Sequence, residues 1–514
     1  MVDGEKRQPL GPPLLLGGKQ TARLGQKAQR AAQLIDQFIA ALHQAAGTAG
    51  QQTHAFQRCF TPGMVNHPSV DCGRHAQHQT FAHTMASAIV GRVIPLHLGA
   101  IMPRDKIILA YSGGLDTSVM VPWLRKKYGY DVVAFTCDLG QGDDLSAIRA
   151  KALRSGAVDA VTIDARQLFV DCFIWPALMA GALYEGKYPL ATALGRPLIA
   201  KLMCDVAKEH GAAAVAHGCT GKGNDQVRFD VTFQTLAPHL KIVAPVREWK
   251  MTRDEEIKFA KEHGIDVEAT AENPFSIDQN LFGRSIEAGA LEDPWVEPPA
   301  AAFQWTVDPQ QAPGEPVYVE IEWKHGIPVG LDGQRLDGVP LIEKLNQVGG
   351  AHGVGRIDHV ENRLVGIKSR ELYECPAAVI LHLAHRELET LCLSKQAARF
   401  KTLVSQEYAD LIYNGQWFSA LHQDLAAFVA SNQRFVTGKT RVKLYKGSAV
   451  VVGRQSEFSL YNKHLATYET GDQFDHEAAK GFIRLWGLGQ QTQARQQLLK
   501  GGAAFELRGL LKGP

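Results

Sequence analysis

The sequence predicts an α/β fold, in which a doubly wound parallel sheet is followed by an α+β domain and a C-terminal helical tail. Short β-branched runs alternate with helical periods from Lys106 onward, which is typical of a parallel sheet covered by helices. A proline-dense connection lies between Glu292 and Pro316. The alternating segment Val317 to Trp323 behind it indicates a half-buried strand that begins a second folded region.

Five strands are predicted in the first domain. They are Lys106 to Tyr111, Asp131 to Thr136, Ala160 to Ile163, Ala213 to His217 and Lys241 to Ala244. Helices fill the gaps, and one of them covers Leu198 to His210 and ends at Gly211. Thr252 and Glu255 form a capping box for another helix, which stops at Gly264.

The second region mixes helices and strands. Helical segments near residues 376 to 393 and 396 to 434 precede strands around residues 441 to 453, which indicates an α+β arrangement. The Gln/Leu-rich stretch from Gln490 to Leu499 predicts a helix with too little chain around it to bury its leucines. We therefore expect these leucines to pack against another subunit.

The first 101 residues differ in composition from the rest of the chain. They contain no Trp or Tyr, and their 9 basic and 4 acidic residues give a net charge of +5. The remainder carries 46 basic against 49 acidic residues, so a basic stripe that grips nucleic acid is not expected there. We interpret residues 1–103 as an extension that is disordered or that lies upstream of the true start, and a transit peptide is the third reading. The domains that follow are residues 104–272 and 273–485, with a tail at residues 486–514.

The sequence also indicates the cellular compartment of the protein. The apolar runs are shorter than the roughly 20 residues that a membrane-spanning helix needs. The eight cysteines form none of the close pairs that zinc sites or redox dithiols use, and no secretory signal pattern opens the chain. A cytoplasmic protein without a membrane partner is expected.

A phosphate-binding loop is predicted directly after the first strand, in the run Ser112-Gly113-Gly114-Leu115-Asp116-Thr117-Ser118. The glycines permit a tight turn, the hydroxyls add donors, and a helix that starts near Thr117 adds favourable partial charge. Asp116 more naturally orders the loop or meets a bound Mg²⁺ than faces a phosphate. The loop after His217 is predicted to emerge beside this one, because both follow parallel strands.

The second constellation is the run His217-Gly218-Cys219-Thr220-Gly221-Lys222-Gly223-Asn224-Asp225-Gln226-Val227-Arg228-Phe229. Its donors and acceptors exceed what a structural turn requires. Asp225 suits an ammonium group, and Arg228 suits a carboxylate through paired hydrogen bonds, so this loop is predicted to hold an amino-acid zwitterion.

Further polar residues are weaker candidates. The charged segment that contains Arg356 and Glu361 is rich in glycine. Its charges are explained either by a substrate pocket or by a solvated surface. Tyr188, Thr192 and Arg196 are placed before a helix, and Ser276 and Ser285 flank Asp278 and Asn280 in a predicted polar loop. Each of these is, on its own, more readily structural than functional.

Together, five strings make the chain resemble the argininosuccinate synthetase family, a member of the pyrophosphate-loop ATPases, over about residues 104 to 485. The strings are SGGLDTS at 112–118, FIWPA at 173–177, HGCTGKGNDQVRF at 217–229, HGVGRIDHVENR at 352–363 and KSRELYE at 368–374. The resemblance implies that citrulline and aspartate are joined with ATP, through an adenylated citrulline, to give argininosuccinate, AMP and pyrophosphate. We expect Mg²⁺ to accompany the ATP. It also implies arginine biosynthesis, the urea cycle and a cytosolic homotetramer, with an ATP-binding domain at 104–272 and a synthetase and multimerisation domain at 273–485.

The resemblance also implies site residues. ATP would be contacted by Ala110, Tyr111, Ser112, Gly113, Gly114, Leu115, Asp116, Thr117, Ser118, Cys137 and Gly218, with Asp116 and Ser112 as the catalytic pair. Aspartate would be held by Thr220, Asn224 and Asp225. Citrulline would be met by Tyr188, Thr192, Asn224, Arg228, Ser276, Ser285, Glu361 and Tyr373.

Two positions depart from the family pattern. Ala193 stands where some relatives have a citrulline-contacting serine, and Glu371 replaces a common glycine. Two other functions compete with this interpretation. A tRNA-modifying thiolase would need suitably placed cysteines and a basic surface, and a nucleotide sensor would have little use for the loop from Thr220 to Arg228.

Overall fold

The structure is a computed structural model, and it describes residues 104–249, 251–266 and 275–499 of the 514-residue chain. These residues all fall within one compact unit, Gly99–Pro514. The predicted extension at residues 1–103 lies outside the described residues, as does the end of the predicted tail, residues 500–514.

Five parallel strands form the first sheet, in the order β3-β2-β1-β4-β5. They are β1 (Lys106–Ala110), β2 (Asp131–Asp138), β3 (Asp159–Asp164), β4 (Ala214–Ala216) and β5 (Lys241–Val243). The chain runs outward from β1 through β2 and β3, then begins again on the other side of β1 with β4. This reversal brings the carboxyl ends of β1 and β4 side by side, where such sheets bind ligands.

Helices alternate with these strands. They are α1 (Leu115–Tyr128), α2 (Leu145–Arg154), α3 (Arg166–Phe169), α4 (Trp175–Ala180), α5 (Ala191–His210), α6 (Asp225–Leu236), α7 (Pro245–Glu248) and α8 (Arg253–Glu262), with a π-helical turn at Val170–Ile174. The predicted capping box of α8 is present, because Thr252 and Glu255 bond reciprocally. Gly211 caps α5 in the left-handed conformation, as predicted.

The central strand β1 is enclosed on both faces. Ile107, Ile108 and Leu109 are fully buried, as expected for a parallel strand covered by helices. Val119 and Leu124 of α1 pack into the same core as Ile107 and Leu109. The loop that follows β1 is therefore held on a rigid base.

All five predicted strands are present, with ends that differ by at most two residues. Helix α5, however, begins at Ala191 and not after Pro197, so Thr192 and Arg196 lie within a helix and not before it. Proline usually interrupts a helix interior. Here complete burial of Ala193 and Leu194 carries the helix through Pro197.

Two antiparallel sheets make up the second region. Their strands are β6 (Ser276–Asn280), β7 (Gly283–Glu287), β8 (Val317–Lys324), β9 (Ile327–Leu331), β10 (Gln334–Arg335), β11 (Arg356–Asn362), β12 (Lys368–Glu374), β13 (Gly438–Tyr445) and β14 (Ser448–Gln455). One sheet has the order β11-β12-β7-β6 and the other β10-β9-β8-β13-β14. Ser276 and Ser285 therefore lie on paired strands and not in the predicted polar loop, because β6 and β7 pair with each other and β12, far along the chain, pairs with the other edge of β7.

Four longer helices accompany these sheets, and a helical tail follows them. The helices are α9 (Gly338–Ala351), α10 (Pro376–Cys392), α11 (Lys395–Tyr413) and α12 (Ala420–Gln433). After β14 come α13 (Lys463–Ala466) and α14 (His476–Trp486), and the tail proper then holds α15 (Leu488–Gln493) and a π-helical turn at Ala494–Leu498. Phe482 and Trp486 of α14 are 61% and 75% exposed, so α14 buries little of its apolar face within this chain. In the part of the chain that the structure describes, no helix has the length and apolar character needed to cross a membrane.

A buried ion pair fixes the proline-dense connection. Arg284 on β7 and Glu374 on β12 lie 2.8 Å apart and are 1% and 0% exposed. The Glu374 carboxylate also accepts hydrogen bonds from the backbone N–H groups of Gln304, Trp305 and Thr306, at 2.8 to 3.1 Å. The connection is thus attached to the sheet through one carboxylate.

We expect Glu374→Gln to lower the free energy of unfolding by about 3 to 5 kcal/mol, because the change leaves the Arg284 guanidinium buried without its counter-charge. Urea unfolding measures the loss. The matched control is Glu320→Gln, which removes a partly exposed partner of Arg441 and Lys439 and should cost less than about 1 kcal/mol. Equal effects of the two substitutions would contradict the role assigned to Glu374.

Candidate functional site

A cavity of about 860 Å³ opens at the carboxyl ends of β1, β2 and β4. The predicted phosphate-site residues that line it are Ala110, Tyr111, Ser112, Gly114, Leu115, Asp116, Thr117, Cys137 and Gly218. The opposite wall belongs to the second region and includes Asp278, Gln279 and Asn280 of β6. The loops after β1 and β4 therefore emerge together at one cavity, as the sequence predicted.

Two predicted residues of the first loop shape it without lining the cavity. Ser118 is fully buried, and its hydroxyl donates to the carbonyl of Gly114 at 2.8 Å and lies 2.9 Å from the Tyr111 hydroxyl. Gly113 has a φ of +81°, and a Cβ there would lie 3.2 Å from Ile148. Both residues stabilise the tight turn that directs the loop toward the cavity.

Gly218 and Cys137 enter the cavity from the neighbouring strands. A Cβ on Gly218 would lie 2.8 Å from the methyl carbon of Met120, so glycine allows the loop after β4 to pass close to α1. Burial raises the pKa of the Cys137 thiol to about 12, with Asp138 and Asp164 adding to the effect. Cys137 is therefore a neutral wall residue at physiological pH and not a nucleophile.

Helix α8 reaches the phosphate loop through Arg253. The Arg253 guanidinium donates to the Asp116 carboxylate at 2.9 Å, with both side chains more than half exposed. Glu256, one turn along α8, is buried, and burial together with the nearby Asp116 raises its pKa to about 7. Asp116 of the loop and Arg253 of α8 thus present a carboxylate and a guanidinium to the same cavity.

Two arginines and two aspartates form a charge cluster where α5, α6 and β6 meet. Arg196 pairs with Asp225 at 2.8 Å and also with Asp278, and Arg228 pairs with Asp225 at 2.7 Å. Burial alone would raise the pKa of Asp225, but the two guanidiniums hold it below its usual range. Burial raises the pKa of Asp278, and Asp225 nearby adds to the rise. Asp225 and Arg228 are therefore paired with each other, and a ligand would meet them as part of a network.

Tyr413 connects this charge cluster to β11. Its hydroxyl donates to Glu361 at 2.5 Å and accepts from the Asn224 amide at 2.7 Å. Its carbonyl accepts from the Arg228 guanidinium at 2.9 Å. Gly415, two residues on, has a φ of +74°, and a Cβ there would lie 2.8 Å from the Arg228 Cα. The end of α11 is thus pressed against α6 at a point that excludes a side chain.

Glu361 also meets Tyr373 and Glu371. The Tyr373 hydroxyl lies 2.5 Å from Glu361 and 2.9 Å from Glu371. Burial raises the pKa of Glu371 to about 7, and Glu361 and Glu287 raise it further while Arg363 opposes them. The hydroxyl carries one proton, so a protonated Glu371 can supply the second hydrogen bond.

Tyr188 and Thr192 extend the network to the hairpin of β6 and β7. Tyr188 stacks on Tyr373 with ring centroids 4.1 Å apart, and its hydroxyl accepts from the Thr192 N–H at 3.0 Å. The Thr192 and Ser285 hydroxyls lie 3.3 Å apart. Ala193, the departure from the family pattern, is fully buried in α5.

Contacts join seven of the eight residues expected for citrulline. They are Tyr188, Thr192, Asn224, Arg228, Ser285, Glu361 and Tyr373. Ser276 is exposed at the start of β6 and lies outside this network. Of the three residues expected for aspartate, Asn224 and Asp225 lie in the networks, whereas Thr220 is exposed in its loop.

Sequence reasoning missed several residues of the site. Arg196 and Asp278 looked structural, because only the fold brings them to Asp225. Tyr413 lies on an ordinary amphipathic helix, and no local pattern marks it. Arg253 did leave a signal: it is a cation in the first turn of α8, where the helix dipole disfavours positive charge.

Two family models cover the described region. The model of the arginosuccinate synthase N-terminal HUP domain matches residues 106–266, and the model of the arginosuccinate synthase C-terminal domain matches residues 275–493.

Curated relatives are similar over almost their whole length. The chain is 58% identical to the argininosuccinate synthase of Dehalococcoides mccartyi, over 76% of this chain and 97% of that protein. It is 56% identical to the argininosuccinate synthase of Oceanobacillus iheyensis, over 76% and 94%, and 56% identical to that of Pelodictyon phaeoclathratiforme, over 78% and 100%. The chain also has a weak likeness to the U34-tRNA thiolase NcsA from Methanococcus maripaludis, with a TM-score of 0.23 at 14% identity over 35% of this chain and 63% of that chain.

We expect Glu371→Gln to flatten the pH dependence of stability between about pH 4.5 and 7. The raised pKa means that the folded chain retains a proton that the unfolded chain releases. This stabilisation is full below the unfolded pKa and is lost as pH rises through about 7. Its size is about 1 to 3 kcal/mol.

Urea midpoints at pH 5 and pH 8 test this expectation. The wild-type chain should lose more stability between these values than Glu371→Gln, whereas Glu457→Gln, which changes an exposed carboxylate, should follow the wild type. A Glu371→Gln profile parallel to that of the wild type would show that the Glu371 proton is not linked to folding.

Proposed function

The chain belongs to the argininosuccinate synthase family, and we propose that the cavity at the end of β1 holds ATP beside both amino acids. The chain is a ligase that forms a C–N bond between citrulline and aspartate in arginine biosynthesis, through an adenylated citrulline. One observation carries the assignment of residues. The phosphate loop, Arg196 and Asp278 line one cavity, so groups that bind ATP and groups of the charge cluster face a common space.

ATP occupies the end of the cavity formed by β1, β2 and β4. The backbone from Ser112 to Thr117, at the start of α1, holds the phosphates through N–H groups and hydroxyls. Gly218 and Cys137 form the neighbouring wall. Ser118 acts by ordering the loop, because its hydroxyl is occupied within it.

Mg²⁺ fits this end of the cavity through Asp116. Mg²⁺ takes one or two carboxylates together with phosphate oxygens. Among the described residues, no cluster of three or more His, Cys, Asp or Glu could hold a metal ion, so substrate phosphates would complete the coordination. When bound, Mg²⁺ neutralises charge on the pyrophosphate leaving group. Arg253, now paired with Asp116, is positioned to take over part of that charge.

The amino acids lie beside this cavity, next to Arg196 and Asp278 of its wall. Aspartate lies against Thr220, Asn224 and Asp225, where Asp225 suits its ammonium group. Citrulline lies among the contacts of Tyr188, Arg228, Glu361 and Tyr373, extended by Thr192 and Ser285. Ser276 is kept as a proposed contact at the rim, since it is exposed.

The reaction needs positioning more than a nucleophilic side chain. The citrulline ureido oxygen attacks the α-phosphorus of ATP, and the bond to pyrophosphate breaks. The aspartate amine then attacks the ureido carbon, AMP leaves, and the amine releases its proton. Orientation of bound reactants can supply about 7 to 11 kcal/mol of the barrier reduction, and the buried charge cluster keeps both amino acids aligned.

We also propose a cytoplasmic homotetramer. The exposed apolar face of α14, with Phe482 and Trp486, supports subunit contact because apolar patches of this kind rarely stay in water. The domain boundaries proposed are residues 104–272, 273–485 and 486–514.

Exchange of labelled pyrophosphate into ATP is expected to require citrulline and to proceed without aspartate, because adenylation precedes attack by the amine. The comparison arm replaces citrulline with tRNA and should show no exchange. Exchange that does not depend on citrulline, or no exchange at all, counts against the proposed order of steps.

Asp116→Asn is expected to raise the Mg²⁺ concentration needed for half-maximal exchange by about tenfold, because an amide is a weaker ligand than a carboxylate. The matched control is Asp254→Asn, which changes an exposed carboxylate beside Arg253. An unchanged Mg²⁺ requirement in Asp116→Asn would remove Asp116 from the metal site.

A further inference from the structure

A second cavity, of about 680 Å³, lies in the second region, away from the phosphate loop. Its walls come from helices α10 and α11, from the segment 181–189 between α4 and α5, and from β14. Its volume is within the range of small-molecule sites, which run from about 300 to 1,000 Å³. None of the residues assigned above to ATP, aspartate or citrulline lines it.

The cavity has a cationic side. Lys187, Arg386 and Lys401 line it, and Glu389 is the carboxylate among its lining residues. Lys401 is 4% exposed and pairs with Glu389 at 2.8 Å, while Gln433 also donates to Glu389. The acid is therefore already satisfied within the protein, and the lining keeps a positive balance.

His382 adds an unused polar atom. It lines the cavity, it is 8% exposed, and its Nε2 has no hydrogen-bond partner among the described residues. Burial, with His385 and Lys401 nearby, lowers the pKa of His382 to about 3, so its ring is neutral at physiological pH. A buried polar atom of this kind costs free energy unless a ligand or solvent satisfies it.

The lining also has an apolar part. Leu183, Pro189, Val354, Val379 and Leu383 line the cavity together with the polar side chains of Thr390, Thr402, Ser405 and Gln406. An occupant should therefore combine an apolar body with one anionic group. A bare phosphate would leave the apolar side chains without contacts, and a neutral apolar molecule would gain nothing from the positive charge of Lys187 and Arg386.

The cavity shares its walls with the proposed citrulline pocket. In the segment 181–189, Leu183, Lys187 and Pro189 face the second cavity, whereas Tyr188 stacks on Tyr373 in the citrulline pocket. Tyr184 of the same segment stacks on Tyr413 with ring centroids 3.5 Å apart.

Helix α11 links the two spaces in the same way. It carries Lys401 at the second cavity and Tyr413 at the citrulline pocket. In the segment 181–189, a hydrogen bond of 2.9 Å between the Tyr184 N–H and the Tyr188 carbonyl joins the two tyrosines in one turn. Displacement of this segment or of α11 would therefore reach residues that contact Glu361 and Arg228.

We propose that this second cavity binds a small organic monocarboxylate with an apolar body, and that its occupation changes the affinity of the neighbouring pocket for citrulline. The binding half stands on the cavity alone, and the coupling half rests on the citrulline pocket proposed above.

Calorimetric titration of the full chain with benzoate tests the binding half. Benzyl alcohol is the control ligand that has the apolar ring but no charge. Inorganic phosphate is the control ligand that has a negative charge but no apolar group. Benzoate should bind in the millimolar range, and both comparison probes at least about tenfold more weakly. Absent benzoate binding, or equal binding of all three probes, overturns the proposal.

Variants locate the binding. The double substitution Lys187→Gln with Arg386→Gln removes two exposed cations of the cavity and should weaken benzoate binding about fivefold. Arg399→Gln, which removes an exposed cation of α11 outside the lining, should leave it unchanged. Equal effects of the two changes would place benzoate elsewhere and overturn the proposal.

Kinetics test the coupling half. Benzoate should shift the KM for citrulline at least about twofold while leaving the KM for ATP unchanged, and the double variant should lose that shift. A citrulline KM that does not respond to bound benzoate overturns the coupling. Simple competition with citrulline that persists in the double variant shows binding in the active site and also overturns it. The calorimetric titration measures benzoate binding without any turnover. A chain that binds benzoate but does not catalyse the proposed reaction is therefore distinguished from a chain that does not bind benzoate.

Discussion

Asp225 is the carboxylate on which the geometry of the site depends. It receives Arg196 from α5 and is paired with Arg228 on its own helix, so two cations are held in a largely buried position. Removing one member of such a set leaves a buried charge without its partner, which costs more than the pair contributes. Arg196 in turn reaches Asp278 on β6, so the first sheet and the antiparallel region meet through charge. This contact joins α5 to the strand that forms the opposite wall of the cavity.

Much of the first domain could be predicted because its information is local. A β-branched run followed by glycines and hydroxyls specifies a strand, a turn and a helix, and the loop at Ser112 lies where that order places it. The capping box of Thr252 and Glu255 is equally local. Helix α5 was misjudged at Pro197, because the penalty of a proline is local whereas the burial that outweighs it is tertiary.

The contacts among the residues proposed to hold the amino acids were harder to predict. The motifs from Thr220 to Arg228 and at Glu361 are visible in the sequence, but the residue between them is Tyr413, which lies on a distant helix. One hydroxyl and one carbonyl of this tyrosine join three segments of chain. Asp278 was overlooked for the same reason, since its strand is recognised only after β12 has paired with β7.

The close approach at Gly415 has a consequence for inherited variation. A missense change in a glycine codon always introduces a residue with a Cβ, and here that atom would lie 2.8 Å from the Arg228 backbone in a left-handed conformation. Every such allele therefore forces a shift either of the chain just after the helix that carries Tyr413 or of the Arg228 backbone. Gly129 has nearly the same φ, +73°, but nothing lies within 4 Å of its Cβ position, so only the torsional penalty remains. Gly415 and Gly129 thus have nearly the same φ but differ in how well they tolerate substitution. The cause is the chain that lies next to Gly415, not the dihedral angle.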